Sequence, residues 1–238
     1  NSGALTVNSG GTYDLNDYTE TIGSLAGDGS VDLGAGALTT GGNDADTTFG
    51  GVISGTGTVT KEGTGTMVLS GSNSYSGDTT VNAGVLQLGA SSGDVLTSST
   101  DLIVDGGSFD VNGTGEEVGD ITLVSGTLDD SVGGGELSSV GGNYNLQSGD
   151  VNVVLGSVAS PGTGTISKTT AGTVILNAAS LTSAVNIVDG VLQLDENEVI
   201  YDTASVDVAS PGILDINDYS ETIGSLAGDG SVDLGAGS

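Results

Sequence analysis

The chain has 238 residues, and 31 Asp and Glu against 2 Lys and Arg give it a formal net charge of −29. So acidic a composition excludes proteins that hold nucleic acid or anionic membranes through a basic surface. His and Cys are absent, which removes serine-histidine and cysteine-histidine catalysis, His or Cys metal centres, iron-sulfur clusters and disulfides from the chemistry this chain can build.

Val, Leu, Ile and Phe make up about 26 % of the residues, above the roughly 20 % below which a highly charged chain stays unfolded. In chain order, short runs alternate apolar and polar residues at 5–7, 31–33, 58–60, 86–88, 102–104, 151–155, 187–188 and 206–208. Period two is the strand signal, and the Gly and Asp-Gly pairs between the runs read as turns. Residues 100–119 are long enough for a helix, but Gly106-Gly107 and Asn112-Gly113 make one costly. No window approaches 18 apolar residues, so no membrane-spanning helix is predicted. The chain opens Asn1-Ser2-Gly3 without Met, and it is read as processed or as a segment of something longer.

Self-similarity decides the architecture. Residues 14–36 read DLNDYTETIGSLAGDGSVDLGAG and residues 215–237 read DINDYSETIGSLAGDGSVDLGAG, identical at 21 of 23 positions with an offset of 201. A weaker repeat lies inside this unit. GTGTVTKEGTGTMVLS at 55–70 aligns with GTGTISKTTAGTVILN at 162–177, placing Lys61 and Lys168 at one structural position, and Val85-Leu86-Gln87-Leu88 recurs as Val191-Leu192-Gln193-Leu194. The stretch 5–22 echoes 102–118. The predicted organisation is therefore one continuous segment with a module at 4–99, a second at 100–203, and the start of the next tandem unit at 204–238.

A tandem repeat that restarts without a linker fits a solenoid better than a sandwich or barrel, because each coil buries its interior against the coils above and below. Coils of roughly 20 to 25 residues, stacked about 4.8 Å apart, would make one unit about 40 to 50 Å long. The predicted inward residues are Leu5, Val7, Leu15, Ile22, Leu25, Val31, Leu33, Val59, Leu69, Val81, Leu86 and Leu88, with Thr, Ser, Asn and Asp outward.

The stretch 53–88, ISGTGTVTKEGTGTMVLSGSNSYSGDTTVNAGVLQL, resembles the passenger-associated repeat of bacterial autotransporters. It carries the G-x-G-x-hydrophobic-x-K opening, the hydrophobic-L-S-G-x-N-x-Y-x-G-x-T centre and the hydrophobic-N-x-G-x-L close. Residues 11–33 resemble the module that precedes it in such passengers. The second module departs from the pattern, with Ala178-Ala179-Ser180-Leu181 in place of the Ser-Asn-Ser-Tyr-Ser-Gly segment. The resemblance implies an all-β, right-handed parallel β-helix (β-solenoid) exported across a bacterial outer membrane to the extracellular space or cell surface. It implies no particular activity.

Candidate ligand sites are confined to acidic turns. Asp14, Asn16 and Asp17, with Glu20, crowd one turn, and Asp28 and Asp32 another. Mixed Asp, Asn and carbonyl oxygens are calcium ligands, and GDGSVDL at 27–33 resembles a calcium-binding nonapeptide. That element is one residue too long and not iterated, so a solvated acidic face is the favoured reading and no cofactor other than calcium is considered. Glu116, Glu117 and Asp120 are a third acidic cluster. Paired carboxylates can cleave glycosides, but no residue is assigned a catalytic role. Tyr75 is expected to pack at a coil corner, and Lys61 and Lys168 to neutralise neighbouring carboxylates. The Asn112-Gly113-Thr114 sequon is a weak signal in a bacterial chain.

The expected function is a non-enzymatic extracellular stalk, fibre or adhesive filament, continued end to end by further tandem units. The alternatives are an adhesin that binds a cell-surface or matrix ligand through loops such as 41–48 or 90–100, and a polysaccharide-active enzyme.

Overall fold

The computed structural model describes residues 3–89, 94–157 and 159–235. Twenty-five strands and no helix are found among them, most strands being two to four residues long. Each strand-strand register is parallel. Such short pieces cannot bury a core alone. They do so by stacking into a β-solenoid of about 11 turns, with three strand positions per turn.

Taken in the order the chain meets them, the first face starts at Ala4–Thr6, the second at Thr12–Asp14 and the third at Glu20–Thr21. The third face is an unbroken ladder whose core column runs Leu38, Val59, Thr79, Leu102, Ile121, Tyr144, Ile166, Val185, Val206 and Leu226. On the first face Phe49 stacks on Leu69, Leu86 on Phe109, Phe109 on Leu128, Leu128 on Val151, and Val151 on Leu176. Alternation puts every second residue of these strands into one apolar interior. The predicted inward residues are all buried there, apart from Leu5 in the first coil, which is partly exposed.

The strands Leu102–Asp110, Ile121–Asp129, Thr165–Leu176 and Ala184–Leu194 each turn the corner from the third face to the first, with a register shift at the bend. The second face is less regular. Its ladder Thr12–Asp14, Ser30–Asp32, Val52–Ser54 stops, and resumes at Gly115–Val118, Glu136–Ser139 and Val154–Leu155. Beyond that only isolated bridges from Leu155 to Ser180 and from Ser180 to Ile200 continue it.

The two copies of the near-exact repeat do not lie on the same faces. Ser24–Ala26 and, just before the repeat, Ala4–Thr6 belong to the first face, but their counterparts Ser225–Ala227 and Ser205–Val208 belong to the third. Likewise Thr12–Asp14 is on the second face and Ile213–Asp215 on the first. The 201-residue offset therefore spans about nine and two-thirds turns, since the first-face ladder takes ten turns to reach Ile213–Asp215, one strand position later.

Identical residues also have different cover. Leu25 and Leu33 are fully buried by the coil above, whereas Leu226 and Leu234 are 54 % and 55 % exposed in the last described coil.

Candidate functional site

The acidic turns at 14–17 and 28–32 are built around backbone amides. Asn16 and Asp17 both have positive φ, 51° and 66°, a conformation that Asn and Asp tolerate better than other side-chain-bearing residues. The turn is closed by Asp14 Oδ1, which accepts from the Asn16 N–H at 2.7 Å. Asp17 Oδ1 accepts from Ala35 N–H one coil above at 2.7 Å, and Asp32 Oδ1 from Gly34 N–H at 3.0 Å. The register sets Asp14 beneath Asp32, so Asp14, Asn16, Asp17 and Asp32 share one corner. Asp28 lies apart from them, beside Gly50. Among the described residues no group of three or more Asp, Glu, His or Cys is placed to hold a metal ion.

Lys61 and Lys168 occupy equivalent buried positions on the third face. Their ammonium groups donate to backbone carbonyls instead of pairing with carboxylates. Lys61 Nζ reaches the oxygens of Glu62 (2.7 Å), Gly63 (3.0 Å) and, one coil on, Ala83 (3.2 Å). Lys168 Nζ donates to Thr170 and Asp189. Carboxylates lie near both lysines, as expected, and the hydrogen bonds add a second role: each lysine staples a coil corner through its carbonyls. Burial draws both pKa values down, while Asp44, Asp46 and Glu62 around Lys61, and Asp189 beside Lys168, partly oppose it.

Where the second-face ladder stops, side chains take over its hydrogen bonds. Asn73 Oδ1 accepts from Ile53 N–H below at 2.8 Å, and Asn73 Nδ2 donates to Val95 O above at 2.9 Å. Tyr75 is fully buried, as expected, with its hydroxyl 2.6 Å from Thr79 Oγ1. One coil higher, the buried Glu116 accepts from Val95 N–H (3.0 Å, Oε2) and Leu96 N–H (2.6 Å, Oε1). Glu221 does the same for Val199 N–H and Ile200 N–H, each at 3.0 Å. Burial pushes both carboxyl pKa values up to about 7, against the pull of the two amide donors.

The structure divides the third candidate cluster, Glu116, Glu117 and Asp120. Glu117 points to solvent and Glu116 inward. The signal was present in the strand parity, since Glu116 lies two residues before the buried Val118.

On the outside, the loop at 41–48 contributes to a shallow groove lined by Asp46, Thr47, Thr48, Thr66 and Val68. Asp46 Oδ1 accepts from Thr66 N–H at 2.7 Å and fixes one wall. Part of the other expected binding loop, residues 90–93, lies outside the described residues.

The chain is a parallel β-solenoid whose interrupted face is bridged by Asn73. Residues 59–88 match the family described as passenger-associated-transport-repeat. The chain is also 38 % identical over 111 residues to the adhesin BmaC autotransporter of Brucella suis biovar 1 (strain 1330), an alignment that covers 44 % of this chain and 3 % of that relative. No solved structure matches.

Proposed function

We propose that the chain is a non-enzymatic segment of an extracellular or outer-surface adhesin of autotransporter type, serving as stalk and adhesive surface. The observation that carries this reading is the near-exact repeat. Its second copy continues the third- and first-face ladders of the first without a break, so duplication adds length and leaves the cross-section unchanged. The similarity to an adhesin autotransporter supports the surface location. The inward polar groups support the structural role, because the buried Asn73, Glu116 and two lysines and the half-buried Glu221 are spent on backbone amides and carbonyls.

Adhesion through outer loops is the second reading, and the groove at Asp46, Thr47, Thr48, Thr66 and Val68 favours it. Beads coated with the folded chain test both on glycan arrays and matrix proteins, alongside a turnover assay on a polysaccharide panel. Binding lost on replacing Thr47 and Thr48 by Lys supports adhesion, and absence of binding supports the stalk. Turnover of any polysaccharide overturns the proposal.

A further inference from the structure

The pattern D-h-N-x-x-x-E-x-h-G, with h aliphatic, occurs three times, at 14–23, 110–119 and 215–224. The local geometry recurs with it. The Asn at the third position has φ of 51°, 52° and 48°, and its N–H donates to the Asp two residues earlier at 2.7, 2.8 and 2.9 Å. The glutamate at the seventh position is Glu20, Glu116 or Glu221. In the last two, one carboxylate receives two successive backbone N–H groups from the coil beneath, one on each oxygen.

The donor segments share a chemistry: Asp94-Val95-Leu96 and Glu198-Val199-Ile200, an acidic residue followed by two buried aliphatic ones. With both side chains committed to the core, their N–H groups need an acceptor. A carboxylate supplies two oxygens at that point, where an amide side chain supplies one.

Glu20 has the same turn and the same spacing. Beneath its coil, the strands Ala4–Thr6, Thr12–Asp14 and Glu20–Thr21 pair only with the coil above among the described residues. Their counterparts Ser205–Val208 and Ile213–Asp215 are paired on both sides, with Ala184–Leu194 below. We infer that Glu20 is the receiving group of a joint between tandem units, its carboxylate taking the two N–H groups of a Glu-Val-Ile segment at the end of a preceding unit of the same polypeptide. The inference rests on the tandem-stalk reading. The joint at Val199, Ile200 and Glu221 is its template, although the residues leading into the two turns differ, GALTVNSGGT at 3–12 against ASVDVASPGI at 204–213.

The test uses the present chain and a two-unit chain in which residues 1–203 run directly into residues 3–238, with amide hydrogen exchange as the readout. In the present chain, Glu116→Gln should speed exchange at Val95 and Leu96, and Glu221→Gln at Val199 and Ile200, each by on the order of tenfold to a hundredfold. Glu20→Gln should change neither. In the two-unit chain, Glu20→Gln in the second unit should speed exchange at Val199 and Ile200 of the first unit by a similar factor. Glu20→Asp, which keeps the charge but withdraws it by one methylene, should do the same if the amide replacement prevents folding. A two-unit chain that scatters X-rays as two separate bodies overturns the stalk reading. One that forms a single rod, with Val199 and Ile200 indifferent to Glu20, overturns the joint alone.

Discussion

Ionisable side chains carried into the interior set how this protein responds to acid. Glu116 and Glu221 have folded-state pKa values near 7 because burial disfavours the carboxylate; Asp94 and Tyr75 lie near the first, and Glu198 and Asp202 near the second. Unfolding returns both to the ordinary value of 4.5. The folded chain thus binds more protons than the unfolded chain between about pH 4.5 and 7. The stability this confers is complete at the acid end and is lost as pH rises through 7. Urea midpoints should accordingly be higher at pH 5.5 than at pH 8, and Glu116→Gln should flatten the difference; a midpoint that rises with pH contradicts the assignment. At this scale the sequence was only partly legible. Alternation identified Leu25, Val31 and Leu88 as buried. It also put Glu116 in phase with Val118, a signal masked by the expectation that carboxylates face water. That Lys61 bonds three carbonyls depends on where the corner of the next coil falls, and no local spacing reports that.

At the level of the strand and its corner, close approach of backbone to backbone governs what is tolerated. Gly126 has φ of 101°, and a Cβ there would run into the carbonyl oxygen of Gly107 one coil below. Gly149, at φ 123°, meets the Gly126 oxygen in the same way. Both conditions penalise any side chain. Gly126→Ala should cost about 2 kcal/mol or more in chemical denaturation, whereas Gly133→Ala, in an open loop with positive φ but no neighbour, should cost about 1 kcal/mol. Similar losses would show that the corner relaxes and that stacking does not fix it. The strands were readable because their period is two. The halt of the second-face ladder was not, since Asn73 bridges Ile53 and Val95 across 20 and 22 residues of sequence. Resemblance to the passenger repeat marked Asn73 and Tyr75 as a unit; only the register showed that Asn73 stands in for missing ladder bonds. In the second module Ser180 occupies that place and is bridged through its backbone, so the motif can be lost while the stack persists.

Over the whole molecule, a charge of −29 spread on a narrow rod keeps side-by-side contacts repulsive, while the one-sided strands of the first coil and the apolar face at Leu226, Val232 and Leu234 are places where coils can add. Edge strands left open in this way pair readily. Electron micrographs of a tandem array should show thin filaments with an axial repeat of about 46 Å per unit, from nine and two-thirds turns at roughly 4.8 Å each; compact particles would rule the rod out. The solenoid itself was legible from the repeat, because a sequence that restarts without a linker must re-enter the same packing. How many coils one copy contains was not, since coil lengths vary with corner insertions.

That count of turns has a consequence for anything the rod touches. Because each copy stops one strand short of ten full circuits, its successor starts a third of the way round the axis, and only the fourth copy faces the way the first did, about 140 Å further along. A feature carried once per copy, such as the groove beside Asp46, would wind about the shaft like treads on a spiral stair. Such a shaft has no blind side, and the groove is presented in three directions around the axis.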